Sequence, residues 1–203
     1  MQEMNQDPVE PLTPATREAY LEAVTIGGRK PLNGTIYLAP YDPDWPAAYA
    51  RHARRILDAL GDKALLLEHA GSTSVPDLPA KPIIDIVLAV ADTDDEDAYV
   101  PQLTQQGFAL RIREPEWFEH RLFKPADESA NLHVFPVGCP EITRMLAFRD
   151  WLRSHPADRL LYAQSKRSLA AQTWRYTQDY ADAKSEVVQA IMARALPSAS
   201  TEP

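Results

Sequence analysis

Gly71-Ser72-Thr73-Ser74-Val75-Pro76-Asp77-Leu78-Pro79-Ala80-Lys81-Pro82-Ile83-Ile84-Asp85-Ile86-Val87-Leu88-Ala89-Val90 runs from a hydroxyl-rich turn, through three prolines, into an apolar segment. The prolines lack amide donors and forbid a regular helix. The run that follows is short and β-branched, as a buried strand requires. Asp85 is its one charge. A carboxylate inside a core strand is costly unless something pairs with it, so Asp85 marks a place where chemistry outweighs packing.

The flanks extend this reading. Ala64 to His69 reads as a strand that delivers the chain to Gly71-Ser72, and Pro82 to Val90 reads as the next strand. A small turn between them lets backbone N–H groups approach a phosphate, and the hydroxyls of Ser72, Thr73 and Ser74 add donors. Gly-Ser turns are common and carry little alone. Twelve residues separate Ser72 from Asp85, and this arrangement is similar to that by which polymerase-β-type nucleotidyltransferases hold triphosphate at a turn and metal at a strand. A second acid two residues on would share the face of Asp85. That position is Val87.

Leu132 to Val137 reads as a strand on which Asn131, His133 and Phe135 share one face. A histidine in such a setting is more often a hydrogen-bonded core residue than a ligand, and nearness to Asp85 brings the two readings level. If it lies beside Asp85, the pair offers a carboxylate and an imidazole to a divalent ion, Mg²⁺ or Mn²⁺, with Mn²⁺ or Zn²⁺ better suited to the donor set. Lys81, Arg121, Lys124 and Arg149 are cations that could face the same cleft or solvent, and Lys81 has the best position. Tyr162-x-x-x-Lys166 and Tyr180-x-x-x-Lys184 each place a lysine on an apolar helical face. Such lysines either snorkel or bind an anion.

Composition bounds the alternatives. With 203 residues, 45% of them hydrophobic, the chain can bury a substantial core. A net charge of -8 argues against general affinity for duplex nucleic acid. The single Cys139 excludes an internal disulfide and a multi-thiolate zinc site. No segment approaches the roughly 18 apolar residues that span a bilayer, and the first residues lack signal-peptide character, so the expectation is a cytoplasmic protein with no membrane partner.

The remaining chain supplies the frame. The first dozen residues read as a frayed tail, followed by a short helix capped by Thr13 and ending at Gly27-Gly28. Thr35 to Leu38 reads as a short strand. Asp44 is expected to cap a helix from about Pro46 to Leu60, with Arg51, Arg54 and Arg55 on its solvated flank. Asp92 to Asp97 reads as a turn and the start of a helix that ends at Gly107. Phe108 to Ile112 and Trp117 to Phe123 read as strands. After Gly138 the pattern is helical: one helix breaks at His155-Pro156, a second carries Tyr162 and Lys166, and a third carries Tyr180, Lys184 and Ile191.

Ala-Pro-Tyr-Asp-Pro-Asp-Trp-Pro (39 to 46), Glu-His-Ala-Gly-Ser-Thr-Ser-Val-Pro (68 to 76), Ala-Lys-Pro-Ile-Ile-Asp-Ile (80 to 86), Leu-His-Val (132 to 134), Leu-Ala-Phe-Arg-Asp-Trp-Leu (146 to 152) and the two Tyr/Lys pairs resemble the GrpB family over Ile36 to Ile191. The resemblance implies a nucleotidyltransferase-like α/β (α+β) fold, a mixed sheet flanked by helices with a C-terminal helical segment. Its implied parts are an N-terminal extension (1 to 33), an α/β core (34 to 138), a helical segment packed on the core (139 to 196) and a disordered tail (197 to 203). Fusion of family members to dephospho-CoA kinase implies a role near nucleotide or CoA metabolism. Asp77 departs from a usual glycine, and Ala130 and Asn131 replace a histidine-rich approach to Leu-His. The expected function is binding of a nucleotide or another phosphorylated small molecule: Gly71, Ser72, Thr73 and Ser74 hold phosphate, Asp85 and His133 hold metal, and Lys81, Arg121, Arg149, Lys166 and Lys184 neutralise charge. Metal-dependent nucleotidyl transfer is the expected reaction. A regulatory module that binds without transfer, or a phosphoester hydrolase, is the alternative.

Overall fold

A computed structural model describes residues 13–196. The expected tails, before Thr13 and after Leu196, lie outside the described residues. In chain order the elements are α1 (Pro14–Val24), α2 (Trp45–Leu60), β1 (Leu66–Ala70), β2 (Ile84–Val90), α3 (Val100–Gln105), β3 (Phe108–Glu114), β4 (His120–Pro125) and β5 (Ala130–Pro136). Four helices follow: α4 (Pro140–Ser154), α5 (Pro156–Ala170), α6 (Thr177–Ala183) and α7 (Ser185–Ala195).

The five strands form one mixed sheet in the order β1-β2-β5-β4-β3. Only β2 and β5 run parallel; the other neighbours are antiparallel. The mixed α/β class expected from the sequence is therefore the observed one. Alternation along the strands divides the sheet into two faces. On one, Ile84, Ile86, Leu88, Val90, Leu132, Val134 and Phe123 pack with Ile56, Leu60 and Leu103 of α2 and α3. On the other, Val87, Ala89 and Phe135 pack with Cys139 and Ile142 at the start of α4. Asp85, Asn131 and His133 share this second face, beyond the part that α4 covers.

Several elements differ from expectation for physical reasons. Thr35 to Leu38 forms no strand, because this segment bridges two partners, Gly34 pairing with Trp174 and Ala39 with Ala80. Thr13 does cap α1, accepting the Thr16 amide on its side chain, but the helix ends at Val24, ahead of Gly27-Gly28. Asp44 makes no side-chain cap on α2; Asp42 accepts the Asp44 amide instead. Strand β4 starts three residues later than expected, since Phe118 and Glu119 take positive φ in the turn before it. Asp92 to Asp97 starts no long helix; only a single turn, Glu96–Ala98, precedes α3. The last expected helix is two, broken at Lys184. Asp77 has φ of 64°, the left-handed region that glycine suits and aspartate tolerates better than most residues.

Candidate functional site

Gly71 fixes the geometry of the cleft. It leaves β1 at φ 64° and ψ -169°, a conformation open essentially to glycine alone. A Cβ there would overlap the Asp85 carboxylate, which packs directly over this backbone. Ser72–Ser74 then form a single tight turn. Its hydroxyls are engaged: Ser74 Oγ donates to the Gly71 carbonyl at 2.6 Å, Thr73 Oγ1 lies 3.0 Å from His69 Nε2, and Ser72 Oγ accepts from Lys166 Nζ at 3.0 Å. Arg153 of α4 holds the turn from below by donating to the Ser74 carbonyl at 2.9 and 3.0 Å.

Asp85 sits beside Asn131 across the parallel β2/β5 pair, and Asn131 Nδ2 donates to its Oδ1 at 2.8 Å. His133 Nε2 lies 3.9 Å from the same oxygen, beyond hydrogen-bond reach. Burial pushes the Asp85 carboxyl up, but the His133 imidazole, the Asn131 amide and the Lys81 ammonium outweigh it and hold it below the usual carboxylate range.

The Asp85 charge acts on three lysines from three parts of the chain. Lys166 of α5 is 2% exposed and is held by neutral groups: the Ser72 hydroxyl, the Pro79 carbonyl and the face of Tyr162, 4.7 Å away. Burial first and the Lys184 charge second lower its pKa to about 7, with Asp85 opposing both. Lys81, just before β2, is lowered to about 8 by burial and by Lys184 and Lys124, again against Asp85. Lys184 lies over the Tyr180 ring at 4.7 Å and is lowered by burial, with Asp85 opposing. Asp85 is thus the carboxylate that opposes the lowering at all three amines. The Asn131 Oδ1 and Tyr180 hydroxyl atoms are buried with no partner among the described residues.

Not every expected residue arrives here. Arg121 faces the opposite side of the sheet, 3% exposed, where it binds Asp94 at 2.7 Å and Glu96 at 2.8 Å. Its neighbour Arg113 shares Glu96. Arg149 is also committed, donating to Glu68 at 2.8 Å, to the His69 carbonyl at 2.9 Å and to Asp150, so it ties α4 to β1. Both arginines are structural cross-links, not free phosphate donors. Val87 is fully buried against Ala70, Ala89, Phe135 and α4, so the face position for a second acid is closed to ligand.

The donor set also tests the expected metal. Asp85 and His133 supply two ligand atoms, and three ammoniums repel a dication from the same space. As a resident metal centre the site fits poorly. Sequence reasoning missed Glu114 and His120, which line up behind His133 on the same face: His120 Nε2 is 3.1 Å from His133 Nδ1, and His120 Nδ1 is 2.8 Å from Glu114 Oε2. Period-two spacing from Leu122, the cross-strand partner of His133, would have placed His120 there once the register was known.

The chain matches the family model described as GrpB protein over residues 35–194. It is 58% identical over 183 residues to a UPF0157 protein of Halalkalibacterium halodurans, covering 90% of this chain and 93% of the relative. The crystal structure of the conserved protein GrpB from Enterococcus faecalis has the same fold, with a TM-score of 0.67 at 29% identity over 79% of this chain and 97% of that one. A dephospho-CoA kinase of Mycolicibacterium paratuberculosis is 30% identical over 172 residues, 72% of this chain and 42% of that protein.

Proposed function

The chain belongs to the GrpB family, and from that premise we propose that the cleft around Asp85 binds a nucleotide or another phosphorylated small molecule. One observation carries the reading: the Lys166 amine, 2% exposed beside the Gly71 turn, is held by neutral groups, the Ser72 hydroxyl, the Pro79 carbonyl and the Tyr162 ring, and Lys184 lies over the Tyr180 ring. Burying amines without matching acids depresses their pKa values, as happens at all three. A polyanion would restore their charge and satisfy them together. The tight Gly71 turn seats the Asp85 carboxylate against its own backbone, and the neighbouring Asn131 keeps a buried Oδ1 with no partner among the described residues.

The resemblance to polymerase-β-type enzymes extends to the turn and the strand acid, and this supports a nucleotidyltransferase-like reading of the cleft. Burial of Val87 favours a module that binds without two-metal transfer. In this reading Mg²⁺ or Mn²⁺ enters as the companion of a polyphosphate rather than as a resident ion. The relative named as a dephospho-CoA kinase accords with a phosphate-bearing ligand.

Isothermal titration with inorganic tripolyphosphate and with ATP tests the proposal. Both should bind the wild type, and Lys184→Met and Lys166→Met should each weaken binding about tenfold or more, the scale of one charged hydrogen bond. Unaltered affinity in both variants would remove the lysines, and the proposal with them.

A further inference from the structure

His133 ends a hydrogen-bonded line that begins in the N-terminal helix. The Tyr20 hydroxyl of α1 donates to Glu114 Oε1 at 3.3 Å, Glu114 Oε2 meets His120 Nδ1 at 2.8 Å, and His120 Nε2 meets His133 Nδ1 at 3.1 Å. His120 is 3% exposed, its ring stacked on Phe135 at 4.8 Å and capped edge-on by Trp117 at 5.1 Å. Tyr20 lies outside the 35–194 family match, so part of this line belongs to the extension.

The direction of each bond follows from its chemistry. An ionised carboxylate only accepts, so His120 Nδ1 carries the proton toward Glu114. The His120 ring is buried among Phe135 and Trp117, and burial favours its neutral form. A neutral ring protonated at Nδ1 has a bare Nε2, which accepts. His133 Nδ1 must therefore donate, and in its neutral form His133 turns an unprotonated Nε2 into the cleft. That nitrogen faces Asp85 Oδ1 across 3.9 Å, so it is the protonated ring, and not the neutral one, that favours the Asp85 carboxylate. Two acceptors facing each other leave a gap that a donor closes. The surrounding ammoniums repel a dication there but not a neutral hydroxyl.

We infer that Glu114 and His120 are positioning residues that hold His133 in the tautomer whose bare Nε2 accepts a hydroxyl of the bound phosphorylated molecule, so that the site selects nucleotides with an intact ribose. The inference rests on the phosphate-binding reading of the cleft, and two separate measurements keep the two apart. In full-length protein with ¹⁵N-histidine, His133 should show a protonated Nδ1 and an unprotonated Nε2, and Glu114→Gln should mix the tautomers. A protonated Nε2 in the wild type overturns the inference whatever binds.

Titrations with EDTA present compare ATP, 2′,3′-dideoxy-ATP and tripolyphosphate. ATP should bind the wild type about tenfold tighter than its dideoxy analogue, the range of one hydrogen bond to a buried acceptor. His133→Ala and Glu114→Gln should both lose that preference, and in Glu114→Gln tripolyphosphate affinity should hold. Equal binding of the two nucleotides by a wild type that binds tripolyphosphate overturns hydroxyl recognition and spares the cleft. A preference that appears only when Mn²⁺ is supplied also overturns it, since a metal then fills the gap. Failure of tripolyphosphate itself to bind overturns the underlying reading, and the hydroxyl contact falls with it.

Discussion

The two faces of one sheet treat buried charge in opposite ways. On the α2/α3 face, Arg121 is fully enclosed and meets Asp94 and Glu96, with Arg113 completing the set. On the other face, Lys81, Lys166 and Lys184 gather around Asp85 alone, and their pKa values fall. A buried cation that brings its own carboxylates is a cross-link and is finished at folding. A set of cations with too few carboxylates is, in the function proposed above, finished by a ligand. The contrast separates structure from function better than residue type does, since arginines and lysines were equal candidates by type.

Arg121→Ala is the strongest way to break the comparison. Removing one partner of a buried ion network costs about 3 kcal/mol, near the low end of the usual range because Asp94 is solvent-exposed. Urea unfolding should register that loss. Tripolyphosphate affinity of the folded protein should stay within about twofold, less than one hydrogen bond is worth. A large fall in affinity would mean that the two faces are not independent.

Gly71→Ala strikes the other face through the backbone. The left-handed, extended conformation costs about 2 kcal/mol for any side chain, and the new methyl displaces the Asp85 carboxylate. Stability and tripolyphosphate binding should fall together, unlike in Arg121→Ala. Intact binding in a destabilised Gly71→Ala protein would show that the seat of Asp85 is immaterial to the ligand.

These two positions also mark what the sequence revealed. Gly71 and Asp85 stood out in one dimension because each violates a local rule: a glycine at a strand exit and an acid among β-branched residues. All five strands of the sheet could be read from apolar runs, with ends displaced by a few residues. The turn before β4 was missed because Phe118 and Glu119 adopt positive φ without a glycine to announce it. The break at Lys184 was missed because neither glycine nor proline marks it. Arg121, Glu114 and His120 depended on strand register, which fixes the face each side chain takes and is set by pairing far away in sequence. Lys166 and Lys184 were visible as devices, yet their convergence with Lys81 is a tertiary fact.

Lys166→Met should have the smallest effect on stability and the most specific signature. At pH 7 the loss of the amine leaves the Pro79 carbonyl unpaired, a cost of about 1 kcal/mol, while it also relieves the burial of a charge, so the two changes oppose each other. The pH dependence is decisive. The unfolded lysine titrates near the ordinary 10.5 and the folded one at about 7. Between those values the unfolded chain holds a proton that the folded one has released, so wild-type stability rises with pH across that window. Below pH 7 both states are protonated and the destabilising contribution is complete. Lys81, lowered to about 8, adds a slope of the same sign over a narrower range, so Lys166→Met should flatten the rise between pH 7 and 10 without abolishing it. Binding of tripolyphosphate should return protons to these amines, and titrations in buffers of different ionisation enthalpy should reveal proton uptake that is smaller in Lys166→Met. Equal slopes and equal uptake in the two proteins would mean that Lys166 is an ordinary charged lysine, and the distinction between the two faces of the sheet would lose its chemical basis.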